Sequence, residues 1–436
     1  MIFQPPSSWP VAAEHDVIVC GAGPAGIAAA CAAGRMGLRT LIIERAGFAG
    51  GVATSCCCPY LMGFAAGGRQ IVGGLADELV RDMDAHGDAR LIAHPASVPD
   101  TEPIGDRSLL DNVVISLEGL RLAANRLLDR YGVSRLYYAS LIGAVTAGER
   151  VTAVAVDRAE GPALYRAAAF VDATGDADLV FRAGGAVRHY PVAQSMTKTI
   201  LLRVGGVEGF HRPDVEVAFR AAVAAGEVPL KAQDAFMGLA LLNPGEVLLN
   251  FTLTAGDGVD AADLTRMDGE LRAQARLAVD WFRVAIPGFA ACFLVDTAHR
   301  VGVRAGRGII GHETITPEDL DAGTPVPEPV ALGTRSYGGH GLTAFAPPWR
   351  QSNPGLRAIP WRALLPMSLA NVAAGGRAIS ADPRVLDAFR LMARCMATGQ
   401  AAGVSAALAA RGTQGISEVA YDAVRDALMD QGAVLA

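Results

Sequence analysis

The 436-residue chain has no apolar run fit to span a bilayer. Its uncharged stretches 17–34 and 50–68 are each broken by glycines and a proline, so membrane insertion is not expected even though 51% of the residues are hydrophobic. There is no basic stripe either: the net charge is -6 with both signs well mixed, which argues against a nucleic-acid partner. The opening MIFQPPSSWP has neither a basic n-region nor an apolar h-region, so no secretory leader is expected and a cytoplasmic location is the default. No C-x-x-C occurs, and seven cysteines clustered mainly at one place make neither a secreted disulfide framework nor a tetrahedral zinc or iron–sulfur set; reduced thiols and no metal are expected. No internal repeat, carboxylate pair or serine–histidine–aspartate grouping stands out. The length suffices for two or three domain-sized units with a large core.

HDVIVCGAGPAGIAAACAAGRMGLRTLIIER reads as an apolar strand, a glycine turn, an alanine-rich helix and a second apolar strand ending at Glu44. Gly21, Gly23 and Gly26 form G-x-G-x-x-G directly after the first strand. The first glycine permits a tight turn, the second lets backbone approach a pyrophosphate, and the third lets helix pack on strand, leaving the helix N-terminus facing the phosphates. Glu44 stands where a carboxylate accepts hydrogen bonds from ribose hydroxyls. A second copy, Gly306, Gly308 and Gly311 in RAGRGIIG, lacks the alanine-rich helix and the acid-ended strand and reads as a glycine-rich turn.

LEGLRLAANRLLDRYGV carries Leu117, Leu120, Ala124, Leu127 and Leu128 on one helical stripe. A β-rich segment and the strand AAAFVDATGDADLVF follow. From about 187 the alternation loosens and histidines and prolines gather. Apolar strand and glycine turn resume in LANVAAGGRAISAD, and CMATGQAAGVSAALAARG reads as a small-residue helix ended by Gly412. The organisation predicted is α/β: a Rossmann-like nucleotide domain over 12–186 and 345–415, interrupted by a mixed α+β substrate domain over 187–344, with a helical tail over 416–436.

GAGPAG near the start, the pair Gly50 and Gly51, VDATGDAD in the middle and GGRAIS…MATGQAAG near the end together resemble the FAD-dependent oxidoreductases with a glutathione-reductase-like FAD domain, most of all those related to fumarate reductase flavoproteins. The resemblance implies bound FAD and hydride transfer between a small organic substrate and flavin N5. It implies that Gly21, Gly23, Pro24, Ala25 and Gly26 hold the pyrophosphate, and that Glu44 and Arg45 stand at the adenosine ribose. Gly50 and Gly51 would lie along the flavin side, and Ala173, Thr174, Gly175 and Asp176 would form a second contact. Ile142 would offer backbone to the adenine. Gly376, Arg377 and Ser380 would bring a strand end to the cofactor. Gly399, Gln400 and Ala401 would belong to a helix starting at Thr398 and aimed at the flavin pyrimidine edge. The matching arginines are Arg304, Arg307 and Arg390. This chain departs from its relatives in ISADPRV, where a histidine is common, and in RSYGGHG, where Tyr337 and His340 are more closely spaced.

Hydride transfer needs a group to move the accompanying proton, for which His340 and Tyr337 lead, followed by His299, His189 and Tyr190. Arg304 and Arg307 could clamp a substrate carboxylate or steady reduced flavin; a structural ion pair is the competing reading. The triplet Cys56, Cys57 and Cys58 leaves three readings. A vicinal disulfide is strained, since neighbouring Cα atoms are about 3.8 Å apart against a usual window of about 4.4–6.8 Å. A redox or flavin-linked role for Cys56 and Cys58 needs a lowered pKa, and no nearby charge in this stretch suggests one. Small, soft packing beside the flavin is the third. The rival functions are a thiol/disulfide-active flavoprotein and an FAD-binding electron-transfer subunit that needs a partner. A homo-oligomer is left open.

Overall fold

The computed structural model describes residues 4–66, 69–92, 112–228, 237–323, 325–334 and 356–435. Strand β1 (Val11–Cys20) is exposed at its start and buried from Val17 onward. Helix α1 (Pro24–Arg35) and strand β2 (Thr40–Ile43) complete the first β-turn-α-β unit. Helix α2 (Leu117–Arg130) is capped by Ser116, whose hydroxyl accepts from the Gly119 N–H at 3.0 Å, and its stripe Leu120, Ala124, Leu127 and Leu128 is buried. Strands β3 (Ser134–Leu136), β4 (Ser140–Ala147), β5 (Arg150–Asp157), β6 (Ala163–Asp172) and β7 (Val372–Ala374) and helix α3 (Met392–Gly412) complete this layer.

The sheet runs β3-β2-β1-β6-β5-β4, with β7 also on β6. Strands β1, β2, β3, β6 and β7 are parallel, a Rossmann-like core, whereas β4 and β5 run as an antiparallel meander into β6. One side of β6 is shared: its start, Ala163–Arg166, pairs with β5, and its end, Phe170–Asp172, pairs with β7. Cys20 is level with Asp172, and Asp172 with Ala374. That register sets three strand-end turns side by side, starting at Gly21, Ala173 and Gly375.

Helices α1 and α3 cross at very short range. A Cβ added at Gly399 would stand 2.1 Å from the Ala25 carbonyl oxygen, and one at Gly403 would stand 2.2 Å from that of Ala29. Only glycine against alanine permits this approach, which offsets the propensity cost of about 1 kcal/mol for glycine inside a helix. The helix read over Cys395–Gly412, with its N-terminus expected to serve the flavin at Thr398–Gly403, in fact starts at Met392, and Thr413 rather than a glycine takes the left-handed position after it. The C-terminal segment is no loose tail: helix Tyr421–Asp430 buries Val424 and Leu428, and the Gln431 amide donates to the Ala32 carbonyl at 3.3 Å.

Between 187 and 334 a four-stranded antiparallel sheet forms in the order Met237–Ala240, Val247–Asn250, Leu202–Gly205, Phe293–Thr297. Helices Arg212–Ala224 and Ala261–Ala285 contribute to a core around Phe219, Phe251, Phe282 and Phe289. The segment of the second glycine cluster is a strand, Arg307–Ile309, antiparallel to Val187–His189, so it has no nucleotide-site geometry. The expected boundary at 344/345 lies outside the described residues. Among the described residues no helix is long and apolar enough to cross a membrane.

Candidate functional site

The glycine turns meet at the N-terminus of α1. Gly21 has φ +97°, and a Cβ there would lie 2.5 Å from the Ala173 carbonyl oxygen. A Cβ on Gly26 would lie 1.8 Å from the Gly21 carbonyl oxygen, one on Gly51 2.7 Å from the Gly23 Cα, and one on Gly375 3.0 Å from the Gly399 Cα. The segments GAGPAG, Gly50–Gly51, ATGD, GGRAIS and TGQAAG, scattered over the sequence, are thus brought together by backbone contact. Gly23 caps α1, no side chain closes that end, Pro24 occupies the first turn, and no acid stands there. The end of α1 therefore offers amide groups and a positive dipole to an anion, as a pyrophosphate requires.

Glu44, buried at the end of β2, accepts from the Ala22 N–H at 2.8 Å and the Ala46 N–H at 2.9 Å, one on each carboxylate oxygen. Each oxygen keeps a further lone pair, so the carboxylate is held rigid and can still take a ribose hydroxyl. Arg45 beside it is exposed. Ile142 stands near the start of β4 with its carbonyl accepting from Arg182 at 3.0 Å. Ser380 is buried with its hydroxyl on Thr314 at 2.8 Å. Gln400 is buried mid-helix, its amide accepting from the Leu75 N–H at 3.3 Å and donating to the Gln431 carbonyl at 3.3 Å. Gly399 and Ala401 lie well inside α3, so these three do not present a helix N-terminus, because α3 has already begun at Met392.

The charged candidates form pairs. Arg377 and Asp176 make a two-pronged ion pair, both contacts 2.6 Å. Arg307 reaches Asp178 at 2.5 Å and the Asp176 carbonyl at 3.1 Å and lies over the Phe181 ring, which realises the ion-pair reading for it. Arg390 pairs with Asp387. His189 pairs with Asp257 at 2.9 Å and is half-exposed. Tyr190 is buried with its hydroxyl donating to the Ala381 carbonyl at 3.1 Å, and burial pushes its phenol up to about 12. His299 lines a separate cavity of about 410 Å³ together with Cys57, Arg121, Arg203 and Asp296. His340 and Tyr337 lie outside the described residues.

The three cysteines follow the short helical turn Val52–Ser55 and are free thiols. Cys56 and Cys57 pack against Ile200, Met267, Leu271, Ala298 and Val301. Burial pushes the Cys56 thiol up to about 12 and those of Cys57 and Cys58 up to about 11. Such thiols are neutral near pH 7 and poor nucleophiles, the behaviour of soft packing groups.

Sequence reading missed Lys198. Its side chain is only 1% exposed, and its ammonium donates to the Ser195 hydroxyl at 2.6 Å. The Ser195 hydroxyl in turn reaches the Ala305 carbonyl at 3.1 Å, and Arg304 donates to the Thr197 carbonyl at 2.6 Å, so segments 195–198 and 304–305 are stitched together. Burial pulls Lys198 down to about 8, opposed by Asp257 and aided by Arg377 and Arg304. Burial likewise pulls Arg304 down to about 10, with Arg390 adding to the effect. One signal was available: of 38 basic residues only two, Lys198 and Lys231, are lysines.

The sequence pattern of the FAD dependent oxidoreductase family matches residues 16–428. Comparison with proteins of curated function finds no match. Among solved structures, BexE, studied for oxidation during BE-7585A biosynthesis, is 14% identical with a TM-score of 0.53, over 96% of this chain and 66% of that one. A geranylgeranyl bacteriochlorophyll reductase-like protein from Thermoplasma acidophilum is 13% identical with a TM-score of 0.47, over 96% and 82%. The flavin-dependent brominase Bmp2 is 15% identical with a TM-score of 0.46, over 96% and 83%. At these identities the likeness concerns the fold.

Proposed function

The chain belongs to the FAD-dependent oxidoreductase family, with FAD as its cofactor, and from that premise we propose that it transfers hydride between a small organic substrate and flavin N5. The observation that carries this reading is the meeting of five glycine-bearing segments at the uncapped N-terminus of α1, beside the rigidly held Glu44. FAD supplies the hydride-accepting ring; the residues supply its seat. In this reading Gly21, Gly23, Ala25 and Gly26 receive the pyrophosphate, Glu44 orients the ribose, and Gly50 and Gly51 border the flavin. The turn Ala173–Asp176 and Gly376 close the opposite side, with Arg377 holding Asp176 in place. Residues 12–186 and 345–415 form the cofactor domain, of glutathione-reductase type and related to fumarate reductase flavoproteins, and 187–344 form the substrate domain. His340 and Tyr337 are the proposed proton carriers. The neutral, buried thiols favour this chemistry over a thiol relay.

The test is anaerobic mixing of the FAD-loaded enzyme with a panel of small alcohols, hydroxy acids and amines, following the oxidised-flavin band. Bleaching that slows when the donor carbon is deuterated supports hydride transfer. Bleaching by no panel member and by no reduced nicotinamide, with the chemically reduced flavin reoxidised by none of the corresponding carbonyl, keto-acid or imine compounds, would refute it.

A further inference from the structure

The cavity of about 410 Å³ at His299 lies on the seam between the nucleotide layer and the four-stranded sheet, and none of the residues proposed to seat FAD lines it. One side is built by segments 57–59, 87–88 and 115–121, the other by Arg203 and segments 241–246 and 296–299. The sides are tied across the seam. The Arg90 guanidinium donates to the Ala240 and Leu241 carbonyls at 3.1 and 3.2 Å, and the Arg300 N–H donates to the Ser55 carbonyl at 3.2 Å. Such a cavity is preformed, at the junction of two units where small-molecule sites commonly lie.

Its lining is amphipathic. Four carboxylates, Asp88, Glu118, Glu246 and Asp296, stand against two guanidinium groups, and both guanidinium groups are already committed. Arg203 holds Asp296 in two prongs at 2.9 and 2.7 Å and Glu246 at 3.5 Å, and Arg121 holds Glu118 at 2.8 Å and lies over the Phe48 ring. Asp88 has no ion-pair partner among the described residues. It rests on the first turn of α2, where a Cβ on Gly119 would stand 2.2 Å from its Cγ, and the positive helix end offsets part of its charge. The surplus of carboxylates disfavours an anion. A metal ion is disfavoured too, because among the described residues no three His, Cys, Asp or Glu side chains come together as ligands. The rest of the lining is largely apolar, with Pro59, Ile115, Leu241 and Leu242. Cys57, whose backbone is left-handed at φ +49°, adds a soft, neutral thiol.

We propose that this cavity is a binding site for a primary amine with an aromatic hydrocarbon body, separate from the cofactor seat. Asp88, the carboxylate that no arginine engages, takes the ammonium within the negative field of Glu246, and the body lies on the apolar lining and the Cys57 thiol.

The FAD-loaded enzyme is titrated by calorimetry with 2-phenylethylamine. The same titration with 3-phenylpropanoate and 2-phenylethanol keeps the body and replaces the ammonium by a carboxylate or a hydroxyl. Expected is saturable binding of the amine at one site, binding of the alcohol at least about tenfold weaker, and none of the acid. D88N should weaken the amine roughly tenfold and E246Q by a few-fold, both with FAD retained. N243W, at an exposed lining position, should block the site without altering Asp88, and it decides the matter where D88N does not fold. The proposal is overturned if the amine does not bind, if the acid or the alcohol binds as well as the amine, or if D88N or N243W, once folded, binds it like the wild type. It is also overturned if FAD displaces the amine from the apoprotein, which would put the amine in the cofactor seat. Binding is read without turnover, so the outcome is independent of the hydride-transfer reading.

Discussion

Replacing Gly23 and Gly26 by alanine, one at a time, separates the role of the glycine turn in folding from its role in holding FAD. At Gly26 the new methyl would meet the Gly21 carbonyl oxygen at 1.8 Å, and both partners are backbone, so the turn or the helix must move. Overpacking of that kind costs about 3 kcal/mol or more. At Gly23 the backbone has φ -73°, open to any residue, and the nearest atom beyond the chain neighbours is the Gly51 Cα at 3.8 Å, an ordinary contact. G23A should therefore change stability by less than about 1 kcal/mol, through its smaller unfolded-state entropy. Its methyl nevertheless occupies the approach to the uncapped end of α1, where the pyrophosphate must touch backbone. A loss of at least about 1.4 kcal/mol, tenfold in FAD affinity, is expected. Urea unfolding of the apoproteins measures the first effect, and titration of flavin fluorescence quenching the second. G23A that is folded and binds FAD like the wild type would refute the placement of the pyrophosphate, and G26A of unaltered stability would refute the packing of α1 on its turn.

Three further outcomes follow from the same geometry. The double variant C56S/C58S should keep FAD and turnover, and iodoacetamide should label neither residue appreciably at neutral pH, because both thiols stay protonated; lost turnover with retained FAD would instead favour the thiol relay. R377M strands the Asp176 carboxylate and should cost about 2 kcal/mol by chemical denaturation, with most of it regained in R377M/D176N; additive losses would show that the pair is not coupled. Burial lifts Asp172 from 3.8 to about 6, against the hydrogen bonds from Val180 and Thr174. The fold thus favours its protonated form, and its contribution, roughly 3 kcal/mol, is full below about pH 4 and lost as pH rises through about 6. Wild-type stability should fall relative to D172N across that window, and parallel curves would remove Asp172 as the cause.

Short-range order was legible in the chain itself. The first strand, its glycine turn, the alanine-rich helix and Glu44 follow from local geometry, since each rests on residues only a few positions apart. The leucine stripe of α2 and the discounting of Gly306, Gly308 and Gly311 as a nucleotide turn hold for the same reason. The start of α3 was not legible: Leu391 precedes it with no capping side chain, so close packing against α1, rather than a local signal, sets where it begins. Arg307, Arg377 and Asp176 could be named from the sequence but not their pairings, with Asp178 unnamed as a partner, because these contacts span from 129 to 201 positions. Lys198 carried no motif at all; its chemistry arises from the loss of water around it and from Arg304, more than a hundred positions away. The sequence by itself determined that the glycine-bearing segments exist and in what order. The register of β1, β6 and β7 decided that they meet, because only strand alignment can bring Gly21, Ala173 and Gly375 level, and only burial can pull the ammonium of Lys198 down to about 8.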